Sequence, residues 1–283
     1  MKHRTLILAV IMLSAFLQFG TAQAGAPFVT AEGVGGIGFN PLAYPAATPG
    51  EDGFKIGPVE IAKPRLGMFY VNLNDTNGGI DWTTMGIATA FNKRLEVSFG
   101  YEVLGIGVMP SDTHKFNYGA KLLLLEENAF GTNFLPAVSV GAVYKRTTTP
   151  FTSVSPRDND GFDVYIVATK LITQLPLPLL ISAGGLSTQG HVNGVAGFDH
   201  KRSEIFFGNI DLFPFSWLAV GYELKMGPDY GTYKDSDYWD VHAAWFVNKN
   251  FTLAAAYTGA GDRHQTKTLG LGGGLMLSAQ YAF

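Results

Sequence analysis

The chain of 283 residues contains no cysteine. The absence of thiols excludes a disulfide framework, a thiolate-bound metal and a lipid-modified cysteine behind a leader segment. Charge is also scarce, because only 15% of the residues are Asp, Glu, Lys or Arg, whereas an average soluble domain has about 25%. The formal net charge is −3, and such a weakly acidic chain argues against nucleic acid as a partner.

Long apolar runs are missing as well, with one exception at the start of the chain. Residues 6–20 read LILAVIMLSAFLQFG, with Lys2 and Arg4 before them and the triplet Ala-Gln-Ala at 22–24 behind them. This pattern predicts a secretory signal peptide over residues 1–24 that is cleaved after Ala24. A retained membrane anchor is the alternative, but the run is shorter than the ~20 residues that a spanning helix needs.

The chain beyond residue 64 alternates between strand-like runs and turns. Hydrophobic residues make up 47% of the sequence, and a closed β-barrel in lipid is one way to cover them without a spanning helix. Twelve runs of alternating polarity are predicted as strands: 65–73, 80–91, 94–104, 114–125, 133–145, 161–173, 178–188, 201–212, 215–226, 237–247, 250–259 and 269–283. Because short turns alternate with longer polar loops, we predict an all-β, transmembrane antiparallel β-barrel of about twelve strands over residues 64–283. A β-sandwich is the alternative, but it does not require this loop asymmetry.

The alternation assigns the two faces of each strand. On the third strand, Val97 and Phe99 share one face, whereas Glu96 and Glu102 share the other. The apolar face is predicted to contact lipid and the polar face to line the lumen. The lumen-lining charged residues predicted in this way are Glu96, Glu102, Lys121, Lys145, Asp163, Glu223, Lys225, Asp240 and His242. Their mixed charge indicates no preference for cations or anions.

The last strand keeps its alternation up to the final residue. The chain ends LMLSAQYAF, in which Tyr281 and Phe283 continue the apolar face. This pattern resembles the C-terminal signature of bacterial outer-membrane β-barrel proteins. The resemblance implies a location in the bacterial outer membrane, contact with outer-membrane lipid, and recognition of Phe283 by the barrel-assembly machinery. A periplasmic aromatic girdle is predicted at the short-turn ends of the strands: Phe91, Phe215, Trp217, Phe246, Phe251, Tyr281 and Phe283.

Residues 25–63 form a Gly/Pro-rich extension without a sustained period, which we predict to be irregular. A twelve-stranded barrel is wider than the eight-stranded barrels whose interiors side chains can fill. Apolar residues such as Phe39 and Leu42 are also unusual in a free tail. Inward glycines such as Gly86 and Gly100 would give clearance for a guest, although barrel curvature also explains them. We therefore expect part of residues 26–46 to pack into or under the barrel as a plug; a mobile periplasmic tail is the rival.

No catalytic residue, metal ligand or cofactor is predicted. The run GVGGIG at 33–38 is followed by Asn40 and Pro41 rather than by a helix, so it is not a dinucleotide fingerprint. His191, His200 and His264 fall in predicted loops, where we expect them to be solvated.

The leading functional hypothesis is an outer-membrane channel for passive passage of a small polar solute. A closed structural or assembly barrel, which could take part in export, is one alternative. A hydrolase with its site at the rim of the lumen is another, although no nucleophile and base of the required arrangement stand out in the sequence. The sequence predicts neither the solute nor the oligomeric state.

Overall fold

The computed structural model describes residues 28–47, 53–73, 79–106, 112–148, 158–231, 233–261 and 268–283. The predicted signal peptide, its cleavage site and His264 lie outside these residues. No helix within the described ranges is long and apolar enough to cross a membrane.

The described chain forms one closed antiparallel barrel of twelve strands, as predicted. The strands are β1 (Arg65–Leu73), β2 (Ile80–Phe91), β3 (Leu95–Ile106), β4 (Thr113–Leu125), β5 (Ala137–Thr147), β6 (Asp160–Ile172), β7 (Leu179–His191), β8 (Gly197–Phe215), β9 (Leu218–Lys225), β10 (Tyr238–Phe246), β11 (Phe251–Ala260) and β12 (Gly272–Ala282). Each strand pairs with the next along the chain. Closure comes from β12 and β1, which are in register from Leu275 opposite Asn72 to Ala282 opposite Arg65.

The connections define two ends of the barrel. We call one the short-turn end; it carries the connections 92–94, 126–136, 173–178, 216–217 and 247–250, together with Phe283. The other is the long-loop end, with the connections 74–79, 107–112, 148–159, 192–196, 226–237 and 261–271. The three-residue connection 92–94 places Asn92 and Lys93 at positive φ. This backbone twist matches that of neighbouring strands in a hairpin.

Strand β8 departs most from the sequence prediction. It begins at Gly197 rather than at 201 and runs to Phe215. The added residues pair with the end of β7 beyond a register shift between Thr188 and Gly190. Such a bulge inserts an unpaired residue and bends the strand, which simple alternation does not reveal.

The two faces of the barrel wall follow the predicted alternation. On the outside, Val97, Val220 and Leu253 are exposed, whereas Glu96 and Glu223 on the inside are fully buried. An apolar outer face of this kind is what lipid tails require of a membrane barrel.

The extension that we predicted to be irregular contains a short hairpin next to the barrel. Phe54–Ile56 pairs with Val59–Ile61, and Ile61 in turn pairs with Phe91 of β2. The reversal uses Gly57 at φ 60°, a conformation that glycine adopts without steric penalty. The hairpin therefore extends the wall at the short-turn end.

An apolar cluster closes part of the lumen at the long-loop end. Phe69 of β1 and Trp82 of β2 face inward, and the connection 192–196 folds into the barrel to meet them through Val192 and Val195. Burial of these side chains stabilises the closed mouth.

Candidate functional site: the occupied lumen

Residues 28–47, which we call the plug, lie inside the barrel. Val29, Leu42 and Ala46 are at most 1% exposed. The plug folds on itself through a two-residue pairing of Phe28–Val29 with Gly35–Gly36. Its backbone then needs partners for the remaining N–H and C=O groups, because a buried unpaired group is strongly destabilising. Side chains of the barrel wall supply many of them.

Glu96 and Lys121 form the first anchor of the plug. The Glu96 carboxylate accepts hydrogen bonds from the backbone N–H groups of Gly35 at 2.8 Å and Ala46 at 2.5 Å. The Lys121 ammonium donates to the carbonyl oxygens of Gly35, Leu42 and Tyr44 at 2.7–3.0 Å. The two side chains also pair with each other at 3.0 Å, and both are buried. Together they tie two separated parts of the plug to neighbouring strands.

Glu223 forms the second anchor. Its carboxylate accepts hydrogen bonds from three consecutive backbone N–H groups, those of Gly38, Phe39 and Asn40, at 2.9–3.1 Å. The Asn40 side chain donates in turn to the carbonyl oxygens of Gly208 and Leu224. A carboxylate held by several amide donors is a strong acceptor site, so this turn of the plug has a fixed position.

Glu32 of the plug forms the third anchor. It lies in a turn closed by a 2.8 Å bond from the Gly33 N–H to the Thr30 carbonyl. The Glu32 carboxylate pairs with Lys115 at 2.9 Å and with Lys145. Burial raises the pKa of the Glu32 carboxyl, but the ammonium groups of Lys115 and Lys145 outweigh burial and hold the pKa well below its ordinary value. Glu32 is therefore ionised in the closed lumen.

The lysines around Glu32 are shared with the wall and with the inward connection 192–196. Lys115 also pairs with Glu102 at 2.9 Å, and Lys145 with Asp163 at 2.6 Å. The carbonyl oxygen of Asn193 accepts hydrogen bonds from both lysines, and its side-chain oxygen accepts one from Lys225 at 2.7 Å. This cluster joins the plug, five strands and the connection 192–196 at the long-loop end.

Asp240 and His242 point into the lumen from β10. His242 Nδ1 lies 2.7 Å from Asp240, and Nε2 lies 2.8 Å from Asp211 of β8. Both ring nitrogens are thus bonded to carboxylates, which leaves neither nitrogen to activate a nucleophile. All nine charged or polar residues that we predicted to line the lumen face inward and are buried.

The predicted loop histidines differ from one another. His191 was expected to be solvated, but it is the last residue of β7 and its exposed fraction is 1%. Its Nδ1 atom lies 3.4 Å from Asp235 Oδ1, and its ring packs edge-on against that of Tyr230. The inward fold of the following connection accounts for this burial. His200 is exposed and pairs with Asp158 at 2.8 Å. Within the described ranges, no three His, Cys, Asp or Glu residues are grouped to hold a metal ion.

The residues of the predicted aromatic girdle lie at the short-turn end, and one of them, Phe246, faces inward. Phe215, Tyr281 and Phe283 are about half exposed; Phe91, Trp217 and Phe251 are partly buried. Phe246 instead shares the inward face of β10 with His242, and its ring lies 6.2 Å from that of Phe28 in the plug. Alternation explains the difference, because its neighbour Trp245 takes the outward, exposed position.

Several residues that hold the plug were missed in the sequence analysis. Thr169 and Ser139 bond the backbone of Ala43, and Gln280 bonds that of Val29. All three residues lie at inward positions of their strands, so the alternation could have identified them. They were passed over because they are uncharged, and only charged residues and one histidine were selected from the sequence. Glu32 itself had no signal, because the plug has no period.

Close approach of the plug explains two inward glycines. A Cβ atom on Gly86 would lie 2.6 Å from the Cα of Gly33, and one on Gly100 would lie 2.4 Å from the carbonyl oxygen of Glu32. By contrast, Gly141 on the inner face of β5 faces the ring of Tyr165 in the wall. Two voids of about 20 Å³ lie between plug and wall, each large enough for roughly one water molecule.

Several solved structures superpose on this chain at low sequence identity. The KdgM porin superposes with a TM-score of 0.51 at 13% identity, covering 77% of this chain and 99% of that chain. The NanC porin gives 0.49 at 8% identity over 78% and 98% of the two chains, and Omp33 of Acinetobacter baumannii gives 0.46 at 14% identity over 78% and 97%. No curated protein matches in sequence.

The likeness to the KdgM porin concerns the fold, which is that of bacterial outer-membrane β-barrels. A family model described as "Protein of unknown function (DUF3034)" matches residues 27–278. This range contains both the plug and nearly the whole barrel. The chain belongs to the DUF3034 family.

Proposed function

We propose that the protein is an outer-membrane channel for a small polar solute and that the plug is its gate. The observation that carries the proposal is the chemistry of the wall: charged side chains on the inner face bind the plug mainly through its backbone. Replacing buried ion pairs by well-packed apolar residues is often neutral or stabilising. If the interior stayed dry permanently, apolar side chains would stabilise it equally well. Charged side chains on the inner face can in addition be solvated by water once the plug withdraws.

The plug is attached in a way that permits withdrawal. It is joined to β1 by residues 48–64, and it enters and leaves the lumen at the short-turn end, where Phe28 meets Phe246 and Ala47 packs near Ala62 and Ala90. No strand of the barrel has to open for the segment to leave.

Conductance in planar bilayers tests the channel. The full-length protein should conduct little, because the plug and its three anchors occupy the lumen. Deletion of residues 26–46 should produce stable, large single-channel steps. The double variant Phe54→Ser/Ile56→Ser, which changes the exposed hairpin outside the lumen, is the matched control and should conduct as little as the wild type. A folded deletion variant without conductance would favour the closed structural barrel.

The location is tested through the last residue. Phe283 is half exposed at the short-turn end, where its ring meets that of Tyr281 at 5.1 Å. If it is the signal for barrel assembly, Phe283→Ala should strongly reduce the heat-modifiable, folded protein in the outer-membrane fraction. Phe215→Ala removes an equally exposed aromatic residue at the same end and should have little effect. Equal assembly of the two variants would contradict the role of Phe283.

The rim hydrolase has less support. His242 is the inward histidine of β10, and its ring is saturated by Asp211 and Asp240. The two carboxylates hold the imidazole ring of His242 in place by hydrogen bonds, and this arrangement needs no catalytic role to explain it.

A further inference from the structure

Three lysines of the barrel wall converge on one carboxylate of the plug. Lys115, Lys145 and Lys225 are buried, and the first two bond Glu32 directly. Lys225 and Glu32 line the same void of about 20 Å³. We call Lys115, Lys145 and Lys225 the lysine site.

The charges of this region balance only while the plug is in place. The wall contributes three positive charges from the lysine site and two negative charges from Glu102 and Asp163, which pair with Lys115 and Lys145. Glu32 supplies the third negative charge. When the plug leaves, these five wall residues keep a net charge of +1, because three positive charges then face two negative ones. An uncompensated ammonium group in a narrow lumen attracts an anion.

The Glu32 carboxylate is bound by the wall as a ligand would be, because it comes from the plug and does not connect two strands of the wall. This carboxylate is presented at a tight turn, and the same oxygen, Oε1, accepts hydrogen bonds from Lys115 and Lys145. Charge-assisted bonds of this type are the strong ones in proteins. The carboxylate is also the only part of the side chain that carries recognition chemistry, so a carboxylate on another molecule could make the same bonds.

We propose that the lysine site binds the carboxylate of an anionic solute in the open barrel, and that Glu32 occupies the site as a built-in competitor in the closed barrel. This inference rests on the proposed function and names its solute class. Solute and plug exclude each other, since the adjoining void has room for about one water molecule. A carboxylate solute therefore shifts the barrel toward the open state, to the extent that it binds that state alone.

The absence of cysteine from the chain permits a direct test on the full-length protein. Val34→Cys places one thiol in the plug, at a residue that is 5% exposed. In lipid vesicles, a charged methanethiosulfonate reagent should label this thiol slowly. Potassium gluconate, a polar carboxylate, should raise the labelling rate in a saturable way. Sorbitol, its uncharged analogue, and potassium chloride at the same ionic strength should not. Ile37→Cys, also in the plug, serves as a second reporter if the first variant folds poorly.

Variants of both sides of the contact assign the effect. Lys145→Met should raise the basal labelling rate and abolish the response to gluconate, whereas Lys201→Met, an exposed lysine on β8, should change neither. Glu32→Gln weakens the competitor and should lower the half-maximal gluconate concentration by about tenfold, the effect of one charge-assisted hydrogen bond.

Equal labelling in gluconate and sorbitol would overturn the proposal, and an equal response to chloride would reduce the site to general ionic screening. The readout does not depend on current. A gluconate response without conductance would retain the binding site and reject the channel, whereas conductance of the deletion variant without a gluconate response would do the reverse.

Discussion

Replacing Gly100 by alanine should open the barrel without unfolding it. The added Cβ would lie 2.4 Å and 2.6 Å from the carbonyl oxygen and carbon of Glu32. These are backbone atoms, so no flexible side chain can move aside, and the plug must shift as a unit. Strand β3 itself tolerates alanine, because glycine is the weaker residue in a strand interior. The contacts below 3 Å are therefore confined to the closed state, whereas the wall atom Asn117 Nδ2, 3.1 Å away, is the end of a flexible side chain.

The size of the effect follows from ordinary overpacking. An extra methyl group in a tight interior destabilises by about 1–3 kcal/mol, which shifts an equilibrium by roughly 5- to 150-fold. We expect the open probability in bilayer recordings to rise by a factor in this range, with the free energy of barrel unfolding nearly unchanged.

Gly185→Ala is the matched control for this variant. Gly185 lies in the middle of β7, where an added Cβ would meet no atom within 4 Å. It should leave the open probability at the wild-type value. If Gly100→Ala stays as closed as Gly185→Ala, then the plug adapts at that position and the close approach has no role in gating.

The sequence predicted the wall of this barrel well because the wall obeys a period of two. Inward charged residues such as Lys121 and Glu223 were identified from parity alone. The closed barrel also followed from sequence, because short turns alternate with longer polar loops between the twelve runs. A period of this kind survives small errors in strand ends, such as the early start of β8.

The contents of the lumen were predictable only in outline. Composition and barrel width indicated that residues 26–46 need a place to pack, but the pairing of Glu32 with Lys115 and Lys145 depends on the path of an aperiodic segment. His191 was misjudged for the same reason: its burial depends on the inward fold of the connection 192–196. Contacts between an irregular segment and a regular wall leave no repeating pattern in either.

Breaking the ion pair of Lys121 and Glu96 should destabilise the closed state of the lumen much more than the open state. Lys121→Met removes three bonds to plug carbonyls and leaves the Glu96 carboxylate buried without its cation. Breaking a buried ion pair from one side destabilises by about 3–5 kcal/mol. Water entering an open lumen can solvate Glu96, so the penalty applies to the closed state. We expect plug release to become more than about a hundredfold more favourable, measured by labelling of Val34→Cys.

Two comparisons isolate the cause. The double variant Lys121→Met/Glu96→Gln removes both charges and should recover part of the loss, giving a coupling energy that a double-mutant cycle can measure. Lys55→Met breaks the exposed pair of Lys55 and Glu60, whose atoms are 2.7 Å apart, and should change stability by about 0–1 kcal/mol. If Lys121→Met lowered the unfolding free energy of the barrel by the full amount while the plug stayed protected, the ion pair would brace the wall itself, and the lumen would be a permanent core rather than a gate.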